Sequence, residues 1–220
     1  MVEILTSPTH RYDRQIMLEE VGREGQEKLR NSRVAIVGLG GIGSPVSLYL
    51  ACAGIGHLTL IDSDSVEETN LNRQILHWER DIGWKKVDSA ISKLQAVNAS
   101  LQYTGIDECL NASNAGKFLA GVDVIIDALD NFETRSVVNE WAVKSGIPLI
   151  HGACRGFEGR VTTVIPGKTA CLRCVIPEPP PSERVPIMGV TAGLVAMVQA
   201  NEAIKILLNQ GELLANRLLI

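Results

Sequence analysis

The sequence predicts an α/β fold with a doubly wound, mainly parallel sheet that is extended by antiparallel strands in its C-terminal half. Three observations support this prediction. Strand-like apolar runs alternate with amphipathic helical runs up to about residue 150, a glycine-rich turn joins the first strand to the next helix, and a later strand-like run follows its predecessor without an intervening helix. The 220 residues, 45% of them hydrophobic, suffice for one large core, so we expect a single domain.

The segment from Arg33 to Asp62 organises the predicted sheet. A β-branched run ends at Gly38, the glycine-rich sequence GLGGIG follows, and an amphipathic helical run leads to a second apolar strand. In such a pattern Gly38 permits the tight turn, Gly40 lets the backbone approach a phosphate, and Gly43 allows the helix to pack closely on the strand. The pattern is that of a Rossmann-like unit.

This glycine turn also predicts a nucleotide site. The free amides at the start of the helix, together with the helix dipole, would face an anion. Asp62 ends the second strand at about the place where a ribose hydroxyl would lie. A turn used only for helix packing would explain Gly43, but it would not explain Gly40, Gly41 and Asp62 together.

The N-terminal segment from Ser7 to Val21 carries apolar positions among charges, which predicts a short helix ahead of the first strand. Arg11 and Arg14 lie close to one face of this helix. Composition alone favours a solvated basic face for both arginines.

Beyond Asp62, polar residues predict a loop over 63–72 at the C-terminal edge of the sheet, where open α/β sheets bind ligands. Arg73 follows this loop, and Lys85 and Lys86 begin an amphipathic helix. A lysine at a helix start is unfavourable for the helix dipole unless an anion lies in front of it. Lys86 is therefore a candidate anion ligand.

The remaining elements of the first 150 residues follow in order. A short strand is expected at 101–106, and a nearly continuous apolar run at 122–126 is typical of a strand buried on both faces. Asp127 and Asp130 follow that strand at the ligand edge. A helix from about Phe132 to Ser145 is closed by Gly146, and PLIHGA begins the next strand.

The C-terminal part, about 151–220, changes character. GRVTTVIPG predicts an added antiparallel strand, and the proline-rich segment 175–189 predicts a mobile crossing loop. Residues 189–208 predict a long apolar helix whose small residues allow close approach to the sheet; these are Ala192, Gly193, Ala196 and Ala200. NRLLI is expected to form a last strand.

Composition excludes several classes of protein. A net charge of −4 and a pI near 5.6 argue against a general nucleic-acid or membrane surface. We find no signal-peptide pattern and no run reaching the roughly 20 apolar residues that span a bilayer. Five cysteines, of which only Cys171 and Cys174 form a close pair, suit a reducing compartment. We expect a cytoplasmic protein.

Two cations and one carboxylate distinguish the predicted site from an ordinary nicotinamide site. Arg73 and Lys86 suit the oxygens of a triphosphate, while Asp130, with phosphates and waters, suits Mg²⁺. A nicotinamide dehydrogenase, the alternative at the level of the fold, needs neither.

The motifs resemble those of the ThiF/MoeB/HesA family, which is related to ubiquitin-activating enzymes. The resemblance covers nearly the whole chain and is carried, in order, by RYDRQ, GLGGIGSP, DSDSVEETNLNRQ, the lysine of GWKKV, DALDNFETR, CLRC and QANEAIK. It implies one domain of this type over residues 1–220, with the nucleotide-binding half at about 1–150.

The resemblance further implies ATP-dependent adenylation of the C-terminal glycine of a ubiquitin-like sulfur-carrier protein that ends in Gly-Gly. The carrier's carboxylate would attack the α-phosphate of ATP and release pyrophosphate. The implied roles are as follows: Gly38, Gly40, Gly41 and Gly43 line the nucleotide, Asp62 holds the ribose, Asn70, Arg73, Gln74 and Lys86 surround the phosphates, Asp130 ligates Mg²⁺, and Asn131 lies in the same nucleotide site. Arg14 corresponds to the arginine that family dimers insert into the partner's ATP site, so the resemblance implies a homodimer.

The chain departs from the family pattern at its cysteines. Many relatives hold a structural zinc with two CxxC pairs, whereas this sequence has only Cys171 and Cys174 as a possible half-site, and such a zinc normally needs four ligands. The crossing loop contains no cysteine, which favours transfer of the adenylate to a separate sulfurtransferase. Cys154 and His151 are better interpreted as a small core thiol and a satisfied histidine at a sheet end than as catalysts.

Two alternatives remain open. ATP could activate a small-molecule or RNA-borne carboxylate instead, although the acidic charge weakens the RNA version. The second alternative is that the chain is a non-catalytic nucleotide-binding subunit. The intact set of candidate catalytic residues argues against this alternative: Arg14, Arg73, Lys86 and Asp130. The pathway, whether thiamine, molybdopterin or another sulfur transfer, is not encoded in a recognisable motif.

Overall fold

The computed structural model describes residues 10–177 and 185–220. Within these ranges the strands are β1 (Arg33–Val37), β2 (His57–Ile61), β3 (Gln102–Ile106), β4 (Val124–Asp127), β5 (Leu149–Arg155) and β6 (Glu158–Val164). They form one sheet in the order β3-β2-β1-β4-β5-β6, in which β1 to β5 run parallel and β6 pairs antiparallel with β5. The doubly wound sheet with an antiparallel extension is thus confirmed.

The helices of the described residues lie on both faces of this sheet. They are α1 (Asp13–Ile16), α2 (Gly22–Asn31), α3 (Gly43–Ala53), α4 (Lys86–Val97), α5 (Ala115–Phe118), α6 (Phe132–Ser145), α7 (Leu172–Val175) and α8 (Gly189–Leu208). Successive residues of β1 point into different cores: Val34 and Ile36 pack with α3, α4 and α8, whereas Ala35 and Val37 pack with α5 and α6. The alternation of side chains along a strand therefore supplies one core for each face.

The glycine turn between β1 and α3 has the predicted form. Gly38 adopts φ +93°, and a methyl group there would lie 2.7 Å from the Ala128 carbonyl oxygen. A methyl group at Gly43 would lie 1.8 Å from the Gly38 oxygen. Both positions therefore require glycine for the turn and the close packing of α3.

The N-terminal helix is shorter than predicted. A 3₁₀ turn at His10–Tyr12 precedes α1, which ends at Ile16, and residues 7–9 of the predicted helix lie outside the described residues. The helix α2 was not predicted, because its glycines have low helix propensity. Gly25 is nevertheless buried in α2, where a methyl group would lie 3.1 Å from Leu208 of α8, so tertiary packing overrides propensity.

The prediction of a last strand at NRLLI is wrong. Leu219 and Ala215 form only isolated bridges, with Val161 and Thr163 of β6, and Asn216 between them has φ +55°. A left-handed residue interrupts the extended backbone that a strand requires. The apolar pattern therefore indicated contact with the sheet edge but not a continuous ladder.

The helix α8 is confirmed over its predicted length, with one correction. Ala192, Ala196 and Ala200 are buried against the sheet side, but Gly193 has open space beside it and is not part of the close approach. Residues 178–184 of the predicted mobile crossing loop lie outside the described residues.

By length and composition alone, α8 is apolar enough to cross a membrane, so the prediction that no segment reaches this threshold is wrong for α8. Its contacts are those of a core helix. It packs on β4, β5 and β6, and it carries Glu202, whose carboxylate accepts hydrogen bonds from Thr163 Oγ1 at 2.6 Å and from the Leu214 amide at 2.7 Å.

Candidate active site

The glycine turn and the end of β2 are joined through Asp62. The Leu39 amide donates to Asp62 Oδ2 at 2.7 Å, and the Asp64 amide donates to Asp62 Oδ1 at 2.9 Å. Burial raises the pKa of Asp62, while Lys86 and these two amides oppose that change. Each carboxylate oxygen keeps a further lone pair, so the group can still accept a hydrogen bond from a ribose hydroxyl.

A second loop, Asn70–Gln74, packs directly on the glycine turn. A methyl group at Gly41 would lie 3.2 Å from Arg73 Cγ, and one at Gly40 would lie 3.6 Å from Gln74 Nε2. The Oε1 atom of buried Gln74 has no hydrogen-bond partner among the described residues. A buried amide oxygen without a partner costs about 1–3 kcal/mol, which supports a ligand at this position.

Arg73 and Asn70 are partly engaged in holding this loop. Arg73 Nη1 donates to the Thr69 carbonyl at 2.9 Å and to Asn72 Oδ1 at 3.0 Å. Asn70 Oδ1 accepts from the Glu67 amide at 3.1 Å. The Nη2 and Nε groups of Arg73 and the amide NH₂ of Asn70 are the donors that these contacts do not use.

Lys86 is a buried cation near the carboxylates of Asp62 and Asp64, beyond the end of β2. Its Nζ lies 2.7 Å from Asp64 Oδ2, and the lysine side chain is 7% exposed while that of Asp64 is 68% exposed. The preceding Lys85 is half-exposed and pairs with Asp107 at 3.2 Å. The unfavourable placement of a lysine at the start of α4 is therefore offset by Asp64, a partner that we did not predict although the motif DSD contains it.

Two aspartates at the end of β4 have opposite environments. Asp127 is fully buried and contacts Arg135 Nε at 2.9 Å and His151 Nδ1 at 2.7 Å. Burial alone would raise the pKa of Asp127, but Arg135 and the His151 hydrogen bond hold it below its ordinary value. Asp130 is exposed and makes no hydrogen bond or ion pair within the described residues. This places Asp130 at the sheet edge as a carboxylate free to bind a ligand.

The segment carrying Asp130 is fixed from both sides. Arg135 Nη2 donates to the Leu129 carbonyl, and Asn131 Oδ1 caps α6 by accepting from the Thr134 amide at 2.9 Å. The sequence placed Asn131 in the nucleotide site, and the cap leaves only its NH₂ group for such a contact. Arg135 was not predicted to have a role, although it lies within the motif DNFETR.

His77 is a second buried residue that we did not predict. Its Nε2 lies 3.0 Å from the Leu39 carbonyl oxygen of the glycine turn, and its Nδ1 lies 2.9 Å from Ser89 Oγ. Burial, together with the charges of Lys86 and Lys93, lowers the pKa of His77 to about 4, against the opposing effects of the Leu39 contact and Asp81. His151, by contrast, is confirmed as a satisfied histidine at a sheet end.

Arg14 is not brought to this site by its own chain. The adjacent Gln15 donates to the Ala53 carbonyl at the C-terminal end of α3 at 3.0 Å, whereas the glycine turn precedes the N-terminal end of α3. The two ends of this helix are about 15 Å apart. Arg11 donates to the Val97 carbonyl at the end of α4 at 2.9 Å, while exposed Arg14 makes no hydrogen bond or ion pair in the described ranges.

The Cys171 and Cys174 sulfurs lie 3.8 Å apart across α7. Burial raises the pKa of the Cys171 thiol, but contacts from Cys174, Asn139 and Arg173 outweigh it, and the net change is downward. Among the described residues, no group of three or more His, Cys, Asp or Glu side chains could hold a metal ion. The pair is therefore at most half of a zinc site within this part of the chain.

Cys154 is partly buried and packs against the hydrophobic core. Burial raises the pKa of its thiol, as is expected for a thiol that packs in the core.

Comparison with protein families matches the ThiF family model to residues 12–220. The chain is 43% identical over 215 residues to the SAMP-activating enzyme E1 of Haloferax volcanii, covering 95% of this chain and 79% of that protein. It is 42% identical over 216 residues to the adenylyltransferase and sulfurtransferase MOCS3 of Culex quinquefasciatus, covering 96% of this chain and 49% of that protein. The chain thus spans only about half of the second relative.

Two solved structures of Escherichia coli MccB are also similar. The complex of MccB with MccA-N7isoASN has a TM-score of 0.86 at 28% sequence identity, covering 97% of this chain and 68% of that one. MccB with ATP has a TM-score of 0.78 at 28% identity, covering 92% and 64%, respectively. The chain therefore shares its sheet and helices with a protein that is 28% identical in sequence and whose structure has been solved with ATP.

Proposed function

Because the chain belongs to the ThiF family, we propose that it is an ATP-dependent adenylyltransferase that activates the C-terminal glycine carboxylate of a ubiquitin-like sulfur-carrier protein. The similarity to the SAMP-activating enzyme and to the adenylyltransferase MOCS3 supports the reaction type. The observation that carries the proposal is the packing of Arg73 and Gln74 on Gly41 and Gly40, which places a guanidinium beside the glycine turn, at the edge of the sheet that also carries Asp130.

The chemistry requires positioning and charge stabilisation more than a strong base. The carrier's carboxylate is already a nucleophile, and the barrier lies in bringing it to a triphosphate of like charge. Arg73 and Lys86 supply positive charge beside the turn, and the glycine amides face the phosphates. Asp62 orients the ribose through the carboxylate that already holds Leu39. Pyrophosphate leaves as the acyl adenylate forms.

The proposed magnesium ion fits a site with a single protein carboxylate. Exposed Asp130 is the candidate ligand, and the described residues contain no cluster of three metal-binding side chains. Magnesium usually keeps several waters and binds nucleotide phosphates with one or two carboxylates, so this donor set is compatible with it. When bound, the ion would neutralise charge on the phosphates.

We further propose that the protein acts as a homodimer in which Arg14 enters the partner's site. The position of Gln15 at the far end of α3 supports this arrangement, since it holds the segment of Arg14 about one helix length from the glycine turn of its own chain. Mixing Arg14→Ala and Asp130→Ala subunits tests it. In a symmetric dimer with random exchange of subunits, about a quarter of the wild-type exchange activity should return, because one site of each mixed dimer has both residues. No recovery in verified mixed dimers would contradict action in trans.

The proposed reaction is tested by ATP–pyrophosphate exchange with a panel of small carrier proteins ending in Gly-Gly, each matched with a variant lacking the last glycine. We expect exchange that depends on one carrier and is lost with its truncated form. The carrier that supports exchange also identifies the pathway. Binding of ATP without exchange with any carrier would contradict the proposed substrate and direct the search to a small-molecule or RNA-borne carboxylate.

A further inference from the structure

A buried network lies directly behind the glycine turn. It consists of His77, Ser89, Lys93 and Asp81, all of which are at least nine-tenths buried. Ser89 and Lys93 come from α4, and Asp81 from the 3₁₀ turn that precedes it. The network thus connects the helix that begins with Lys86 to the turn that would cradle the phosphates.

The contacts of the network end at one backbone atom of the turn. Lys93 Nζ donates to Asp81 and, at 3.0 Å, to Ser89 Oγ, which lies 2.9 Å from His77 Nδ1. His77 Nε2 lies 3.0 Å from the Leu39 carbonyl oxygen. Because a carbonyl oxygen only accepts hydrogen bonds, Nε2 must carry a proton.

Both protonation states of the histidine satisfy this requirement. In the neutral ring, the Ser89 hydroxyl donates to Nδ1; in the charged ring, Nδ1 donates to Ser89, whose proton then faces Asp81 Oδ2 at 3.1 Å. Burial and the charges of Lys86 and Lys93 hold the pKa of His77 near 4, with Leu39 and Asp81 opposing them, so the neutral state prevails near pH 7.

Leu39 is therefore held at both of its backbone polar groups. Its amide donates to Asp62, and its carbonyl accepts from His77 Nε2 and, at 2.9 Å, from Ser44 Oγ of α3. We propose that His77, in its Nε2–H form, is a positioning residue for nucleotide binding that fixes the glycine turn through the Leu39 carbonyl; this inference rests on the proposed ATP site. His77 does not itself touch the nucleotide. It sets the shape of the backbone that does.

Two substitutions separate this role from simple filling of the core. His77→Gln keeps an amide nitrogen at about the reach of Nε2, whereas His77→Asn is polar but too short to reach Leu39. We expect His77→Asn to raise the Kd and KM for ATP by about 2- to 10-fold, because the Leu39 carbonyl loses one of its two donors and keeps Ser44 Oγ. The KM for the carrier should not change, and His77→Gln should recover most of the loss. His57→Asn, at the start of β2 and away from the turn, is the matched control.

Nitrogen-15 spectra of the histidine rings provide a second, independent readout. The sequence contains four histidines, and the signals of His77 are those that disappear in His77→Gln. We expect a neutral ring protonated at Nε2. A ring protonated only at Nδ1 would overturn the proposal, as would an unchanged Kd for ATP in folded His77→Asn. Direct measurement of ATP binding distinguishes this failure from that of the proposed function: wild-type protein that binds ATP but shows no carrier-dependent exchange would contradict the carrier and leave the test of His77 intact.

Discussion

Asp127 and Asp130 stand three residues apart at the end of β4, yet they occupy opposite environments. Asp127 is fully buried and held by Arg135 and His151, whereas Asp130 is exposed without a partner among the described residues. A buried, fully paired carboxylate supports the fold, and an exposed, unpaired one at a ligand edge is available for chemistry. A similar contrast separates Arg11, which is bonded to the Val97 carbonyl, from Arg14, which makes no bond within the described residues. The partners of a charged group within the folded chain, more than its residue type, therefore distinguish support from function.

The largest expected effect is on stability and concerns the supporting member of the pair. Asp127→Asn leaves Arg135 buried beside a neutral amide, and it should lower the free energy of unfolding by about 3–5 kcal/mol. Urea denaturation followed by circular dichroism measures this change. Asp107→Asn is the control, since its half-exposed pair with Lys85 should contribute less than about 1 kcal/mol. Equal losses of unfolding free energy in Asp127→Asn and Asp107→Asn would show that the buried carboxylate contributes no more to stability than the half-exposed one.

The next effect is on activity and concerns the arginines. Arg14→Ala should lower the rate of carrier-dependent ATP–pyrophosphate exchange by about 10²–10³ without changing the unfolding free energy, because the removed cation would serve the partner's phosphates. Arg11→Ala should leave exchange unchanged and cost about 1 kcal/mol of stability through the lost bond to Val97. Exchange rates and urea midpoints should be measured for both variants. Loss of exchange in Arg11→Ala together with wild-type exchange in Arg14→Ala would refute the assigned roles.

The burial of His77 should make the stability of the protein depend on pH. Its pKa is about 4 in the folded protein, against an ordinary value of about 6.5. Between these values the unfolded chain binds a proton that the folded chain does not, so acidification from pH 6.5 to 4 should lower the unfolding free energy, by at most about 3 kcal/mol. Urea denaturation across this range should show a flatter profile for His77→Gln than for the wild type. An unchanged slope would mean that His77 is charged in the folded state.

The smallest effect is expected at Lys85. Lys85→Met removes a half-exposed ion pair and should change stability by less than about 1 kcal/mol, an effect that disappears at high salt. It should leave exchange unchanged, whereas Lys86→Met should lower exchange about 10²–10³-fold. Measuring both variants at two salt concentrations tests whether adjacent lysines differ as their burial indicates.

Much of the fold could be predicted because its signals are local. The glycine turn, the apolar strands and Gly146 at the end of α6 each follow from residues adjacent in sequence. The helix α2 and the C-terminal bridges could not be predicted, since they depend on contacts of Gly25 with α8 and of Leu219 with β6. Local propensity carries no information about such distant partners.

The candidate site shows the same division. The residues expected to contact the ligand, such as Lys86 and Asp130, belong to recognisable motifs. The residues that hold these ligands in place, including Asp64, His77 and Arg135, are ordinary polar residues in sequence. His77 and Arg135 acquire a role only because folding brings His77 to the Leu39 carbonyl and Arg135 to the Leu129 carbonyl. The position of Arg14 relative to its own site also required the structure, because it depends on which end of α3 the N-terminal segment contacts.

The exposed carboxylate of Asp130 at the end of β4 is the group that we expect to take part in nucleotide chemistry. The most direct test is ATP–pyrophosphate exchange by Asp130→Ala with the carrier that supports exchange in the wild type, together with urea denaturation of the same preparation. We expect the exchange rate to fall by a factor of at least about 10²–10³, with an unfolding free energy within about 0.5 kcal/mol of the wild type. Wild-type exchange in Asp130→Ala, or a loss of exchange that merely follows a loss of folded protein, would contradict it.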